Sequence, residues 1–352
     1  MKKFLITLLL LMISPVYAAD IQEMAGQLIM VGFVGNKVKS KGFKTVLRQL
    51  DNNQITGVIF FEDNIKNKDE FKKMTNAVKN SKAKHKPLIA IDMEGGIIQR
   101  MNSKNGFEDF KTAKEVSKLT ENEAYIEYDK LAKMLKEAGI NYNLAPCVDL
   151  SVNQNSIIEK KERSYSSNPK TVVKYAKQFI KAHHDNNILT SIKHFPGHGS
   201  SEGDTHLGFV DATGVYKDEE IYPYLELANI DSKQTVMISH IFNRNIDYEY
   251  PASLSFNTIQ KYLRLQTDFK GVTITDDLNM GAIEKNYSLN ETVVLAINAG
   301  ENILLWSNRK PSDLSLPEKI NYIIQAEVID GNISIETLEE SYNKVLKLKE
   351  NL

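Results

Sequence analysis

Apolar and polar positions alternate along this chain on two different periods. Eight short, nearly continuous apolar runs stand at 28–33, 57–61, 87–91, 140–148, from Ile188 onward, 235–240, 271–275 and 302–306. Between them, 43–50, 66–81, 121–139, 172–185 and 289–298 carry apolar residues at helical spacing, and the tail 316–352 is helical with one break near Gly331. Continuous rather than alternating apolar runs of strand length mark strands buried on both faces, as in a parallel sheet. Eight such strands alternating with helices, with no linker or low-complexity tract, predict an α/β fold. The expected architecture is a single-domain TIM-type (β/α)8 barrel over 19–352, with its active site at the C-terminal ends of the strands.

The polar residues that end these runs sharpen the picture. Asp92, Asp149, Lys193-His194, Ser239-His240 and Asp276-Asp277 each close a strand, and in a barrel those ends meet at one mouth. Helix capping would account for a single Asp. It does not account for a Lys-His pair at the same level. The stretch Ser191–His206 alone holds three of the seven histidines, with three glycines and a proline. His194 and His198 have the spacing of zinc ligands, yet Pro196 and Gly197 between them forbid the helix that would align both rings. A metal site is therefore not expected here, and His198 reads as a residue that shapes the turn. Cys147, the single cysteine, sits among apolar neighbours and reads as a buried small side chain.

Composition narrows the classes further. Lys2-Lys3, the apolar run 4–13 and Val16-Tyr17-Ala18 have the order of a cleavable signal peptide over 1–18, so a periplasmic or secreted location is expected. The run is short for a bilayer span, which needs ~20 apolar residues, so stable membrane insertion is not expected. Basic and acidic residues nearly cancel, 44 against 45, which leaves no basic excess for a nucleic-acid partner.

Lys193-His194-Phe195-Pro196-Gly197-His198-Gly199, followed by Asp204-Thr205-His206, resembles the signature of glycoside hydrolase family 3. The Asp-x-His ending is similar to its β-N-acetylglucosaminidase (β-hexosaminidase) branch. Asp92-Met93-Glu94-Gly95-Gly96 with Arg100, Ala145-Pro146-Cys147-Val148-Asp149, Arg163-Ser164-Tyr165 and Ile274-Thr275-Asp276-Asp277 agree with the family in kind and order. The resemblance implies a TIM-type barrel and a retaining exo-glycosidase without metal or organic cofactor. It implies Asp276 as nucleophile, His206 as acid/base and Asp204 as its partner, with Asp92, Arg100, Arg163, Lys193 and His194 holding sugar hydroxyls. Ile97, Ser200 and Asn302 depart from the family pattern, and these departures are expected to alter the loop around the sugar or the leaving group.

These roles suit the residue types. Retaining hydrolysis needs one group to form a glycosyl ester and another to give and take a proton. Histidine titrates near neutrality, and a carboxylate two residues away can fix its tautomer. Gly197, Gly199 and Gly203 are expected to let the loop close over bound sugar. The substrate expected is a GlcNAc-containing glycan such as a peptidoglycan fragment, handled by a monomer. The alternatives are a β-glucosidase-like, broad hexosaminidase or phosphorylase activity, or a non-catalytic glycan-binding protein.

Overall fold

The computed structural model describes residues 15–309 and 311–352. The leader expected at 1–18 falls almost wholly outside them, and the first described helix is Pro15–Gln27. No helix of the described residues is long and apolar enough to cross a membrane.

Among the described residues ten strands follow in chain order: β1 (Ile29–Val31), β2 (Gly57–Phe60), β3 (Leu88–Ile91), β4 (Met93–Gly95), β5 (Ile98–Gln99), β6 (Tyr142–Asn143), β7 (Leu189–Phe195), β8 (Gln234–Ile238), β9 (Thr273–Thr275) and β10 (Leu304–Trp306). Eight of them form one parallel sheet in the order β10-β1-β2-β3-β6-β7-β8-β9. A parallel bridge between Ile274 and Ile303, with Thr275 N–H donating to the Ile303 carbonyl at 3.0 Å, brings its two edges together. The predicted barrel is thus the observed one.

Its two-sided burial follows from the apolar runs. Met30, Ile59, Leu88, Ala90, Met237 and Ile274 face the barrel interior. Their neighbours Ile29, Val31, Val58, Phe60, Ile89, Ile91, Val236 and Ile238 pack outward against the helices. Successive side chains of a strand point to opposite faces, so burial on both faces requires an unbroken apolar run.

The helices begin where polar caps allow. Asn67 caps Lys68–Lys79, Thr120 caps Glu121–Glu137 and Ser288 caps Leu289–Ala299, each accepting a backbone N–H of the first turn. In places the elements depart from the pattern. The expected strand 140–148 is reduced to β6 and a bridge between Cys147 and Lys193, because Pro146 has no N–H to give the ladder. Helix Asn257–Leu265, with widened turns, and the hairpin β4–β5 arise where no element is predicted.

Helix Ile335–Lys349 closes the bottom of the barrel, its Val345 and Leu348 joining the interior apolar set. It also buries Lys349, whose Nζ donates to Gln27 Oε1 (2.6 Å) and the Thr56 carbonyl (3.1 Å), both neutral. Burial pushes this ammonium down to about 7. A cation whose folded pKa is depressed burdens the fold fully below that value, and the burden fades as pH rises toward the unfolded value near 10.5. Lys349→Met is therefore expected to stabilise by about 1–2 kcal/mol at pH 6. The gain should shrink by pH 9, as read by thermal melts; an equal loss of Tm at both values would contradict it.

Candidate active site

The strand ends deliver their polar residues as expected. Asp92, Arg100, Arg163, Lys193, His194, Asp204, His206 and Asp276 all line one cavity of roughly 190 Å³ at the barrel mouth, with Ile98, Lys161 and Met237 among its other walls. A wider, open depression of roughly 680 Å³ lies elsewhere, between Val38 and Ala77. It collects no comparable set of ionised groups.

One wall is a charge network built on β3, β7 and the β4–β5 hairpin. Lys193 Nζ reaches Asp92 Oδ1 at 2.9 Å and Glu94 Oε1 at 2.8 Å. Arg163 holds Glu94 in a two-pronged contact, Nε to Oε2 at 2.9 Å and Nη2 to Oε1 at 2.6 Å, and Arg100 Nη2 meets Asp92 Oδ2 at 3.2 Å. Burial pushes both carboxyls up, but the surrounding cations outweigh it and hold Asp92 and Glu94 below the usual carboxylate range. Gly95 makes the hairpin possible. Its φ is +100°, and a Cβ there would lie 2.2 Å from the Lys111 carbonyl oxygen.

Behind this wall stands Asp149, buried, gathering the backbone N–H of His194 (3.2 Å) and of His198 (2.8 Å) on Oδ1. Its Oδ2 meets His194 Nδ1 at 2.6 Å, and Arg163 Nη2 lies 3.1 Å from His194 Nε2. A guanidinium only donates, so Nε2 accepts and Nδ1 carries the proton given to Asp149. Cys147 is buried as predicted, its thiol donating to Asp149 and pushed up by burial and by that carboxylate. Cys147, Asp149 and His194 place ligand atoms within 4.8 Å of one another. With both His194 nitrogens engaged and a guanidinium against one of them, this set serves the hydrogen-bond network and suits a metal ion poorly.

Asp276 follows β9, half-buried. Burial raises its carboxyl, but His194, His240 and His206 together draw it down to about 2, so it is ionised at any working pH. His240 is fully buried beside it. Its Nε2 donates to the Asp277 carbonyl (3.0 Å) and its Nδ1 pairs with Ser253 Oγ (2.7 Å), which fixes the ring against the segment that follows β9.

The Asp204–His206 pair occupies the loop after β7. Asp204 Oδ1 accepts the His206 backbone N–H (3.0 Å) and pairs with Nδ1 (2.7 Å), leaving Nε2 as the ring edge turned away from the pair. The His206 side chain is 69% exposed. The segment after Asp276 holds this loop: Ala282 N–H donates to the Thr205 carbonyl (3.1 Å) and Gly281 N–H to that of His206 (3.2 Å).

Several functional contacts escaped the sequence reading. Glu94, Asp149 and His240 were visible as residues in motifs or at strand ends, but only the fold reveals them as the hubs that bind Lys193, His194 and the Asp276 strand. The three departures separate in space. Ile97 is exposed on the hairpin and Ser200 is buried under the loop, both near the mouth. Asn302 is not, contrary to expectation: it takes Thr273 N–H and Arg264 at the opposite, N-terminal ends of β9 and β10.

An eight-stranded parallel barrel whose mouth gathers the Asp276 carboxylate, the Asp204–His206 pair and a network of paired charges has the make-up of a glycoside hydrolase. The family model for the glycosyl hydrolase family 3 N terminal domain matches residues 20–348. Beta-hexosaminidase A of Pseudoalteromonas piscicida is 30% identical over 85% of this chain and 54% of its own length, so the chain spans about half of that relative. A beta-hexosaminidase of Photobacterium profundum is 31% identical over 73% of this chain and 76% of its own. The solved family 3 beta-N-acetylglucosaminidase of Paenibacillus sp. superposes with a TM-score of 0.84 at 27% identity, over 94% of this chain and 62% of that one. The chain belongs to glycosyl hydrolase family 3.

Proposed function

We propose that this protein is an exported, retaining exo-β-N-acetylglucosaminidase that removes terminal GlcNAc from peptidoglycan fragments or related amino-sugar glycans. The observation that carries the reading is the Asp204–His206 pair lining the same cavity as Asp276. Asp276 attacks the anomeric carbon while His206 gives its proton to the leaving oxygen, forming a glycosyl ester on Asp276. His206 then takes a proton from water as it displaces the ester. Asp204 supports the imidazolium, and the Asp92–Lys193–Glu94–Arg163 network, with Arg100 and His194, reads the sugar hydroxyls. Closure of the loop would bring the exposed His206 inward. The leader and the names of the relatives support export and an amino-sugar substrate.

Turnover of aryl GlcNAc against aryl glucoside tests the substrate class, and preference for the glucoside would overturn it. His206→Ala is expected to lose about 10²–10⁴-fold in kcat/KM on substrates with poor leaving groups. It should keep most activity on a 2,4-dinitrophenyl glycoside, whose departure needs no proton. A phosphorylase is the second reading, favoured by Lys161 lining the cavity near Asp204, where a cation could receive phosphate. Sugar 1-phosphate in phosphate buffer would establish it.

A further inference from the structure

Behind the loop that carries the His–Asp pair lies a buried carboxylate with no part in the scheme above. Glu220, on the short helical turn Asp218–Ile221, is 1% exposed. Its Oε2 accepts the backbone N–H of Gly199 at 2.7 Å and of Ser200 at 3.3 Å, and its Oε1 accepts the Ser200 hydroxyl and, at 3.5 Å, the Lys217 N–H. The chain passes directly over it. Gly197 has φ +133°, and a Cβ there would lie 2.5 Å from the Glu220 Cβ. Together with Asp149, which takes the N–H of His194 and His198, Glu220 collects the donors of the turn 194–200. Four residues beyond Ser200 stands Asp204.

We propose that Glu220 is the positioning residue of the acid/base loop: by gathering Gly199 and Ser200 it sets where Asp204 and His206 stand over the sugar. The inference rests on the acid/base role given to His206. Three of its four contacts are backbone N–H groups, which only donate, and the Ser200 hydroxyl completes the set, so a proton on Oε2 would displace an N–H donor and one on Oε1 would turn the Ser200 bond round. The groups facing it are Asp149 from the segment after β6, Tyr216, Lys217 and Asp218 from its own approach, Tyr224 from the helix that follows and Tyr262 from helix Asn257–Leu265. None is a cation in contact with it, and Lys217 supplies only its backbone. Burial, opposed by the Ser200 hydrogen bond and reinforced by the Asp149 charge, pushes Glu220 up to about 7. The clamp therefore tightens as pH rises through neutrality and slackens below it.

Glu220→Gln keeps the shape but puts an amide N–H₂ among donors. On a GlcNAc glycoside with a poor leaving group, kcat/KM is expected to fall roughly 10–100-fold, while the 2,4-dinitrophenyl glycoside changes less than about threefold, because only the former needs the loop's proton. The acid-side decline of the wild type near pH 7 should disappear from the residual activity. Equal losses on both substrates, or none, overturn the proposal. Ser200→Ala, which removes one donor, is read by the same criterion if Glu220→Gln fails to fold. His206→Ala runs alongside: without leaving-group dependence in that variant the acid/base reading fails, whereas its presence there and absence in Glu220→Gln refutes the positioning role alone.

Discussion

Asp276→Ala is expected to reduce kcat/KM on an aryl GlcNAc substrate by about 10⁴-fold or more, equivalent to roughly 5.5 kcal/mol of transition-state stabilisation. The size follows from the proposed role: without a nucleophile the reaction must proceed through direct attack of water, and the remaining groups only bind and protonate. Asp276 is placed for this by β9, and three histidines hold its carboxyl near 2 despite burial, so its charge survives at acid pH. A carboxyl with a depressed pKa keeps its charge as pH falls until that low value is reached, so the acid limb of activity should not stem from Asp276 above pH 3. A fluorinated GlcNAc analogue that forms the ester but releases it slowly should label wild-type enzyme on Asp276 and leave the variant unlabelled. An adduct on Asp277 or Asp92 in active enzyme would refute the mechanism.

Much of this architecture was legible in the sequence because its signals were local. A strand buried on both faces writes itself as an unbroken apolar run, and the polar residue that ends it, Asp92, Lys193 or Asp276, marks the mouth. What stayed hidden depends on pairing across long separations. Glu94 is three residues past β3, and nothing in its neighbourhood says that a hairpin will turn it toward Arg163, 69 positions away. Glu220 sits 20 positions from Ser200 in a segment without periodicity. Asn302 failed in the opposite direction: a departure from a family pattern invited a functional reading, but its position in the register puts it at the barrel bottom.

Glu94 yields the second large expected effect. Its carboxylate is the shared partner of Lys193 and Arg163, whose side chains are only 3% and 12% exposed. Glu94→Gln preserves volume but removes the charge, leaving two buried cations with Asp92 and Asp149 as their remaining anions. Breaking a buried pair by removing one partner costs about 3–5 kcal/mol; the cavity's access to water places the expectation near the lower end. The pH dependence identifies the cause. Glu94's folded pKa is depressed, because Arg163 and Lys193 outweigh its burial. Its contribution is then present above the unfolded value near 4.5 and lost as pH falls toward the folded one. Urea denaturation should show the full gap between wild type and variant at pH 7 and a smaller gap at pH 3.5. Lys193 would also lose its second anchor in the cavity wall, so KM should rise more than kcat falls. A gap under about 1 kcal/mol at pH 7 would mean that Asp92 alone suffices to hold Lys193, and that the network tolerates the loss by re-pairing.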